Sequence, residues 1–271
     1  MTAAQLRECI HLAACDHDPL CCGYRWHIRD ENALAELVAW TLQGYGFHAA
    51  RILANLDPVQ PVPPETVKNQ AIQMLALPPR TGNVTPRWHR DGLIFQHIAW
   101  IAAHVSAPGQ IAASLPHPRA ADKGFDALFV PIEQNNTAIQ GIVICEEKAT
   151  DRPRDQIRDG VWPDIRRVEA GERDAELNNE LSAVLSSYRV TNLDQFIADA
   201  NWANHKAYRV SITIDSQHDP DDPRRALFRG YDECAPGPNT DRRRAETICL
   251  PHLRNWMDHF CELVTAAISH S

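Results

Sequence analysis

Apolar residues recur along this chain at two spacings, and the spacing changes near residue 110. Over residues 31–44, Leu34, Leu37, Val38 and Leu42 fall at helical intervals and Gly44 supplies a stop. The stretch Asp57-Pro58-Val59-Gln60-Pro61-Val62-Pro63-Pro64 breaks the pattern before it resumes over residues 65–77. A second loop, carrying Pro78, Pro79, Gly82 and Pro86, leads into a largely apolar helix over residues 91–104, placed to lie against a sheet. Strands are then predicted at 111–115, 125–132 and 139–148, with a hairpin turn around Gln134-Asn135-Asn136. Helices follow over 153–170, with an interruption at Pro163, over 174–188, and from near Leu193. Residues 208–214 alternate as a half-buried strand does. Residues 215–241 are rich in Asp, Pro and Arg and read as a long exposed loop with a short extended piece at Leu227-Phe228. A strand at 247–250 and an amphipathic helix over 252–268 close the chain. Leu253, Trp256, Met257, Phe260 and Val264 form that helix's apolar face, read as core.

This order divides the chain into a mostly helical N-terminal appendage, residues 1–86, and an α/β region, residues 87–271, with a mixed central sheet flanked by helices. A chain of 271 residues with 44% hydrophobic content is long enough for one large core. No internal repeat, P-loop or glycine-rich dinucleotide fingerprint is present, so any nucleotide-driven motor must be another protein.

The densest chemistry lies in the second and third predicted strands. Gly124-Phe125-Asp126-Ala127-Leu128-Phe129-Val130 is followed by Ile142-Val143-Ile144-Cys145-Glu146-Glu147-Lys148. Alternation turns Glu146 and Lys148 to one face and Glu147 to the other, and Asp126 arrives from the neighbouring strand. Charges at the mouth of an apolar strand cost free energy unless they are paired or hold a cation. The plainer reading is an ion pair at a strand end. The functional reading is a carboxylate cluster for a hard divalent cation, with a lysine beside an attacking water.

The arrangement resembles the PD-(D/E)xK nuclease superfamily, whose restriction-endonuclease-like core is a helix, an antiparallel hairpin bearing Asp and then (D/E)xK, a helix and a further strand. The resemblance spans about residues 87–214. It implies Asp126 and Glu146 as metal ligands for Mg2+ or Mn2+, Lys148 as the motif lysine, and Gln156, near the start of the next helix, as a polar residue facing the site. Asp91-Gly92-Leu93-Ile94-Phe95-Gln96 resembles the helix motif that often adds an acid, and here Gln96 stands in that acid's place. Either Asp91 substitutes as a metal ligand or the site has one fewer charged ligand. His89 is the alternative base, against its ordinary use as a surface or capping residue. The GFDALFV and EEKAT segments are also similar to the nuclease subunits of Hachiman antiphage systems. That similarity implies a DNA substrate and a helicase/ATPase partner. The other reading is a catalytically inactive nuclease fold that binds DNA or scaffolds a complex, and the glutamine at position 96 is its best argument.

Composition modifies this picture in three ways. The net charge of −8 excludes a surface that attracts nucleic acid everywhere. Basic residues concentrate at Arg152, Arg154 and Arg158, at Arg166-Arg167, at Arg224-Arg225 with Arg229, and at Arg242-Arg243-Arg244, which read equally as phosphate contacts or as solvated faces. Eight cysteines without a secretory signal read as reduced thiols of a cytoplasmic protein. Cys9, Cys15, Cys21 and Cys22 lie near His11, His17 and His27, yet without the paired CxxC spacing of a structural zinc site, so they read as helix and loop thiols. No apolar run approaches the about 20 residues that span a bilayer, and self-association stays open.

Overall fold

A computed structural model describes residues 2–77, 85–108, 111–119, 124–131, 141–186 and 206–271. In β5 (Ile142–Lys148), Val143 and Cys145 enter one apolar cluster, while Ile142 and Ile144 enter another. A strand that is apolar on both faces is stable only where both are covered. Parallel to β5 runs β6 (Lys206–Ile214), and parallel to β6 runs β7 (Arg243–Cys249). On the other side of β5, β4 (Ala127–Pro131) is antiparallel, and β3 (Ile111–Ala113) is antiparallel to β4. Beyond β7 lie β2 (Tyr24–Ile28), parallel to it, and β1 (Ile10–Ala14), antiparallel to β2. The result is one mixed seven-stranded sheet in the order β1-β2-β7-β6-β5-β4-β3.

Three helices cover the first face, namely α2 (Glu31–Leu42), α5 (Thr85–Ser106) and α11 (Leu253–His270), which pack on one another and on Trp26, Phe129, Val143 and Ile248. Asp30 caps α2 by accepting from the amides of Asn32 and Ala33 at 2.9 and 3.0 Å. The completely buried Leu34, Leu37 and Val38 then each stabilise the fold by roughly 1.5–3 kcal/mol. The shorter α1 (Ala3–Arg7), α3 (Gly46–Leu53) and α4 (Glu65–Leu75) pack around these three. On the second face, α6 (Pro153–Gln156), a π-helical turn (Ile157–Val161) and α7 (Trp162–Glu169) form one continuous helical run. Pro163, the second residue of α7, follows directly on the π turn and the helical run continues through it, so the predicted interruption takes the form of a change from π to α winding. This face also carries α8 (Asp174–Ser186). The turn at residues 134–136 and the helix near Leu193 lie outside the described residues.

Three expectations are corrected. Residues 10–28 hold two strands of the main sheet rather than only helix and loop, so the N-terminal segment shares both sheet and core with the rest. Residues 215–241 are not an exposed loop. They form α9 (Asp221–Leu227), α10 (Tyr231–Cys234) and a 3-10 turn (Thr240–Arg242), and they bury Leu227, Phe228, Tyr231 and Cys234. The composition that reads as loop is helix-end chemistry. Pro220, Asp221 and Asp222 sit at the N-terminus of α9 and Arg224 and Arg225 at its C-terminus, as the helix dipole favours. Finally, two members of the basic runs are structural. Arg224, fully buried, donates to the carbonyls of Tyr24 and Ala245, to Thr247 Oγ1 and toward His17. Arg243 likewise donates to the carbonyls of Pro19, Leu20, Ala235 and Gly237.

Two histidines of α5 are buried without charge. Thr41 Oγ1 donates to the Val38 carbonyl at 2.9 Å and so accepts from His97 Nδ1–H at 2.7 Å, leaving His97 Nε2 buried with no partner. Burial lowers the pKa of His97 to about 3, helped by His117, and that of His104 to about 4. Both folded values lie below the unfolded value of 6.5, so the unfolded chain binds the extra protons. Stability therefore stays flat with respect to these groups above pH 6.5 and falls as pH drops toward 3–4. The expected slope is about 1.4 kcal/mol per pH unit for each histidine. Urea unfolding followed between pH 7 and pH 4 checks this. A midpoint that does not move over that range, or one no less sensitive in His97→Gln, rules it out.

Candidate functional site

Ala127 pairs with Cys145 across β4 and β5, so the preceding residue, Asp126, falls beside Glu146 and Glu147. There the three residues of the predicted cluster meet. Lys148 Nζ donates to Asp126 Oδ2 at 2.7 Å and lies 2.9 Å from Glu146 Oε2. The backbone amide of Glu147 donates to the same Oδ2 at 2.7 Å, and Gln96 Nε2 donates to Oδ1 at 2.7 Å. The Glu146 side chain is 8% exposed and the Lys148 side chain 24%, so the ammonium is the member that solvent reaches most easily.

Two members of the cluster, Asp126 and Lys148, line an open cleft of about 510 Å³ together with Gln96, Arg152 and Gln156, while Glu146 lies behind Lys148 and is not among the lining residues. Gln156, half-buried at the end of α6, lines this cleft. A π turn often marks a functional site, and here it follows Gln156 directly. A side chain at Gly160, one turn on, would start 2.9 Å from Gln156 Nε2, so the glycine leaves the amide its room. His89, exposed, also lines the cleft.

Asp91 is not brought into the cluster. Fully buried, it accepts from Arg90 at 2.7 and 3.1 Å and from Arg254 Nη1 at 2.5 Å, so both its oxygens are engaged by guanidinium groups. Gln96, which the sequence presents as a missing acid, instead holds Asp126 from the α5 side through its amide.

Electrostatics set the protonation states. Burial raises the pKa of Glu146, with the Lys148 ammonium opposing that rise and Asp126 adding to it. Burial works against the charge on Lys148, but Glu146 and Asp126 together outweigh it and raise its pKa, so the ammonium persists at neutral pH. Among the described residues, no group of three or more His, Cys, Asp and Glu side chains is arranged to hold a metal ion. The two carboxylates are nonetheless hard oxygen donors, and Mg2+ commonly takes one or two carboxylates while keeping several waters, so the donor set suits it. The N-terminal thiols behave as structural cysteines. All eight cysteines are free, and burial pushes the pKa of Cys9 and of Cys21 up to about 12.

Sequence reasoning missed the acid on the other face of β5. Both carboxylate oxygens of Glu147 are buried without a hydrogen-bond partner, and Arg209 Nη1 is 4.0 Å away. Arg209 is already satisfied by Glu246 at 2.7 Å and by the Ala99 carbonyl at 3.1 Å, and Trp26 Nε1 donates to Glu246 at 2.8 Å. The signal available in the sequence was the alternation itself, which sends Glu147 away from its neighbours.

Compared with protein-family models, with curated proteins and with solved structures, the chain has no match.

Burial raises the pKa of Glu147 well above 4.5, with Arg209 opposing. For an acid so shifted, folding takes up a proton above pH 4.5, and stability falls as pH rises from there toward the folded value. Glu147→Gln keeps the shape and removes that linkage. The variant is expected to melt above the wild type at pH 7, with the difference closing toward pH 4.5. Calorimetric melting curves of both proteins at the two pH values test this, and a variant less stable at pH 7 contradicts it.

Proposed function

We propose that this chain is a metal-dependent nuclease that hydrolyses DNA phosphodiester bonds at Asp126, Glu146 and Lys148. The observation that carries the reading is the meeting of two carboxylates and one ammonium from adjacent strands, of which Asp126 and Lys148 line an open cleft and Glu146 backs Lys148. Element order supports it: helix α5, the antiparallel hairpin β4–β5 with Asp126 before one strand and Glu146 and Lys148 ending the other, the helical run 153–169, then β6 parallel to β5. This is the order of the restriction-endonuclease-like core that the sequence resembles.

Asp126 and Glu146 are the residues that would hold Mg2+ or Mn2+. Such an ion supplies charge neutralisation at the phosphate and acidifies a water. Lys148, kept as an ammonium by its two carboxylates, is a donor rather than a base. It orients the nucleophile and stabilises the negative charge that develops on phosphate oxygens. Gln156 offers a neutral donor and acceptor from the opposite wall. A helicase/ATPase partner and a role in bacterial antiphage defence rest on the similarity of the GFDALFV and EEKAT segments, and the absence of a P-loop is compatible with a separate motor. None of the described helices is long and apolar enough to cross a membrane.

A second reading, a catalytically silent DNA-binding or scaffolding subunit, is favoured by one contact. Gln96 gives Asp126 a neutral amide where an added carboxylate would raise the site's affinity for cations. Incubating the chain and its Glu146→Ala and Lys148→Ala variants with single-stranded, linear duplex and supercoiled DNA, with Mg2+ or with chelator, separates the two. Cleavage that requires the cation and falls at least about 100-fold in both variants is the expected result. A wild type that leaves DNA intact, both alone and with a helicase partner, favours the scaffold.

A further inference from the structure

Trp88 is one of the large apolar side chains left exposed among the described residues, at 49%, and it lines the same cleft as Asp126 and Lys148. Its position on α5 is informative. Trp88, Gly92 and Gln96 are spaced four residues apart, so they form one stripe along the helix, and all three line the cleft. The inner end of the stripe is Gln96, bonded to Asp126. The outer end is the indole, about 12 Å away along the helix axis. Between them lies Gly92, where an added Cβ would meet nothing within 4 Å. The floor between the indole and the cluster is therefore bare backbone beneath open space. Arg152, exposed, and Arg254, whose guanidinium is shared by Asp91 and Asp151, line the same cleft.

We infer that this stripe is a base-stacking platform and that the cleft takes single-stranded nucleic acid, with an unpaired base lying on Trp88 beside the phosphate that reaches the Asp126–Lys148 cluster. The inference rests on the nuclease reading of that cluster and specifies its substrate class. An aromatic ring accepts any base because every base has a π face, and Arg152 at the rim is placed to meet the backbone. A duplex keeps its base faces stacked inside and offers Trp88 only its backbone. Bare backbone at Gly92 gives the nucleotide room that a larger side chain would fill.

The test measures binding rather than cleavage, in chelator, so that it stands apart from the catalytic question. A labelled short single strand, its duplex, and single strands with one base removed at successive positions are titrated with the wild type, Trp88→Ala and Trp88→Phe. The single strand is expected to bind more tightly than the duplex. Trp88→Ala is expected to weaken single-strand binding about 5- to 150-fold, the range of one base–aromatic stack, and Trp88→Phe to retain most of it. One abasic position should weaken the wild type and leave Trp88→Ala unchanged. Equal single-strand affinity in wild type and Trp88→Ala overturns the proposal, as does a duplex bound as tightly as the single strand, or no binding of either. Trp88-dependent binding without cleavage under any condition sinks the nuclease reading and leaves the platform. Cleavage of duplex alone, untouched by Trp88→Ala, does the reverse.

Discussion

A sheet covered by helices on both faces leaves its strands no water, so each charged side chain they carry must find its counter-charge within the sheet or reach the sheet's end. That constraint organises this molecule. In the middle of the sheet, Arg209 and Glu246 pair across β6 and β7 and are further satisfied by Trp26 and by the Ala99 carbonyl. At the end of β5, Lys148 lies between Asp126 and Glu146 and still reaches the cleft. Arg209 and Glu246 border a cavity of about 360 Å³, but their side chains are each 4% exposed and are held by one another, by Trp26 and by the Ala99 carbonyl. Lys148 is 24% exposed, and for that reason the chemistry is assigned to its cluster and not to the more deeply buried pair.

Much of this was legible in the residues. The run Ile142-Val143-Ile144-Cys145 announces a strand buried on both faces, and alternation alone separates Glu146 and Lys148 from Glu147. Asp126 joins them because the hairpin register is fixed by apolar residues on both strands, and a slip of one residue would turn Ala127–Val130 inside out. Asp91 could not be placed in this way. Its partners are Arg90, a neighbour in sequence, and Arg254, 163 residues away, and no local pattern reveals a contact of that range. The same holds for Arg224 and Arg243. Their guanidinium groups satisfy carbonyls from the N-terminal strands and turns, so they read as surface charge until those strands are placed beside β7. Residues 215–241 misled for a different reason. Proline and aspartate before a short helix, and arginine at its end, have the composition of a loop when helical periodicity lasts only seven residues.

Gln96 shows how one neutral atom sets the character of the cluster. Its amide and the Glu147 backbone amide both donate to Asp126 and hold it without adding charge. An acid at position 96 could not donate in its charged form, and it would place a third negative charge beside Lys148. The glutamine thus fixes the orientation of Asp126 and leaves two carboxylates facing one ammonium, one negative charge in excess where an acid at 96 would leave two. Such a site binds a divalent cation less tightly than one with three acids, and it depends more on the oxygens that a phosphate brings with it.

The distribution of cations carries that dependence outward. A chain with net charge −8 does not draw a polyanion to itself over long distances, and its buried arginines add nothing to an external field that their partners cancel. Arg254 is shared between Asp91 and Asp151, and Arg158 is held by Asp155 and Asp159, so the cationic groups around the cleft are largely neutralised by near neighbours. On the proposed reading, affinity for a strand would come from contacts made after arrival: the indole face of Trp88, the amide of Gln156, and the guanidinium of Arg152 at the rim. Binding of that kind loses less to salt than a phosphate-tracking basic face does, because it releases few counterions. It also gains most from anything that presents an already separated strand to the cleft. On that reading the weak external field and the reliance on stacking go together in an acidic chain that pairs much of the basic charge near the cleft with its own carboxylates.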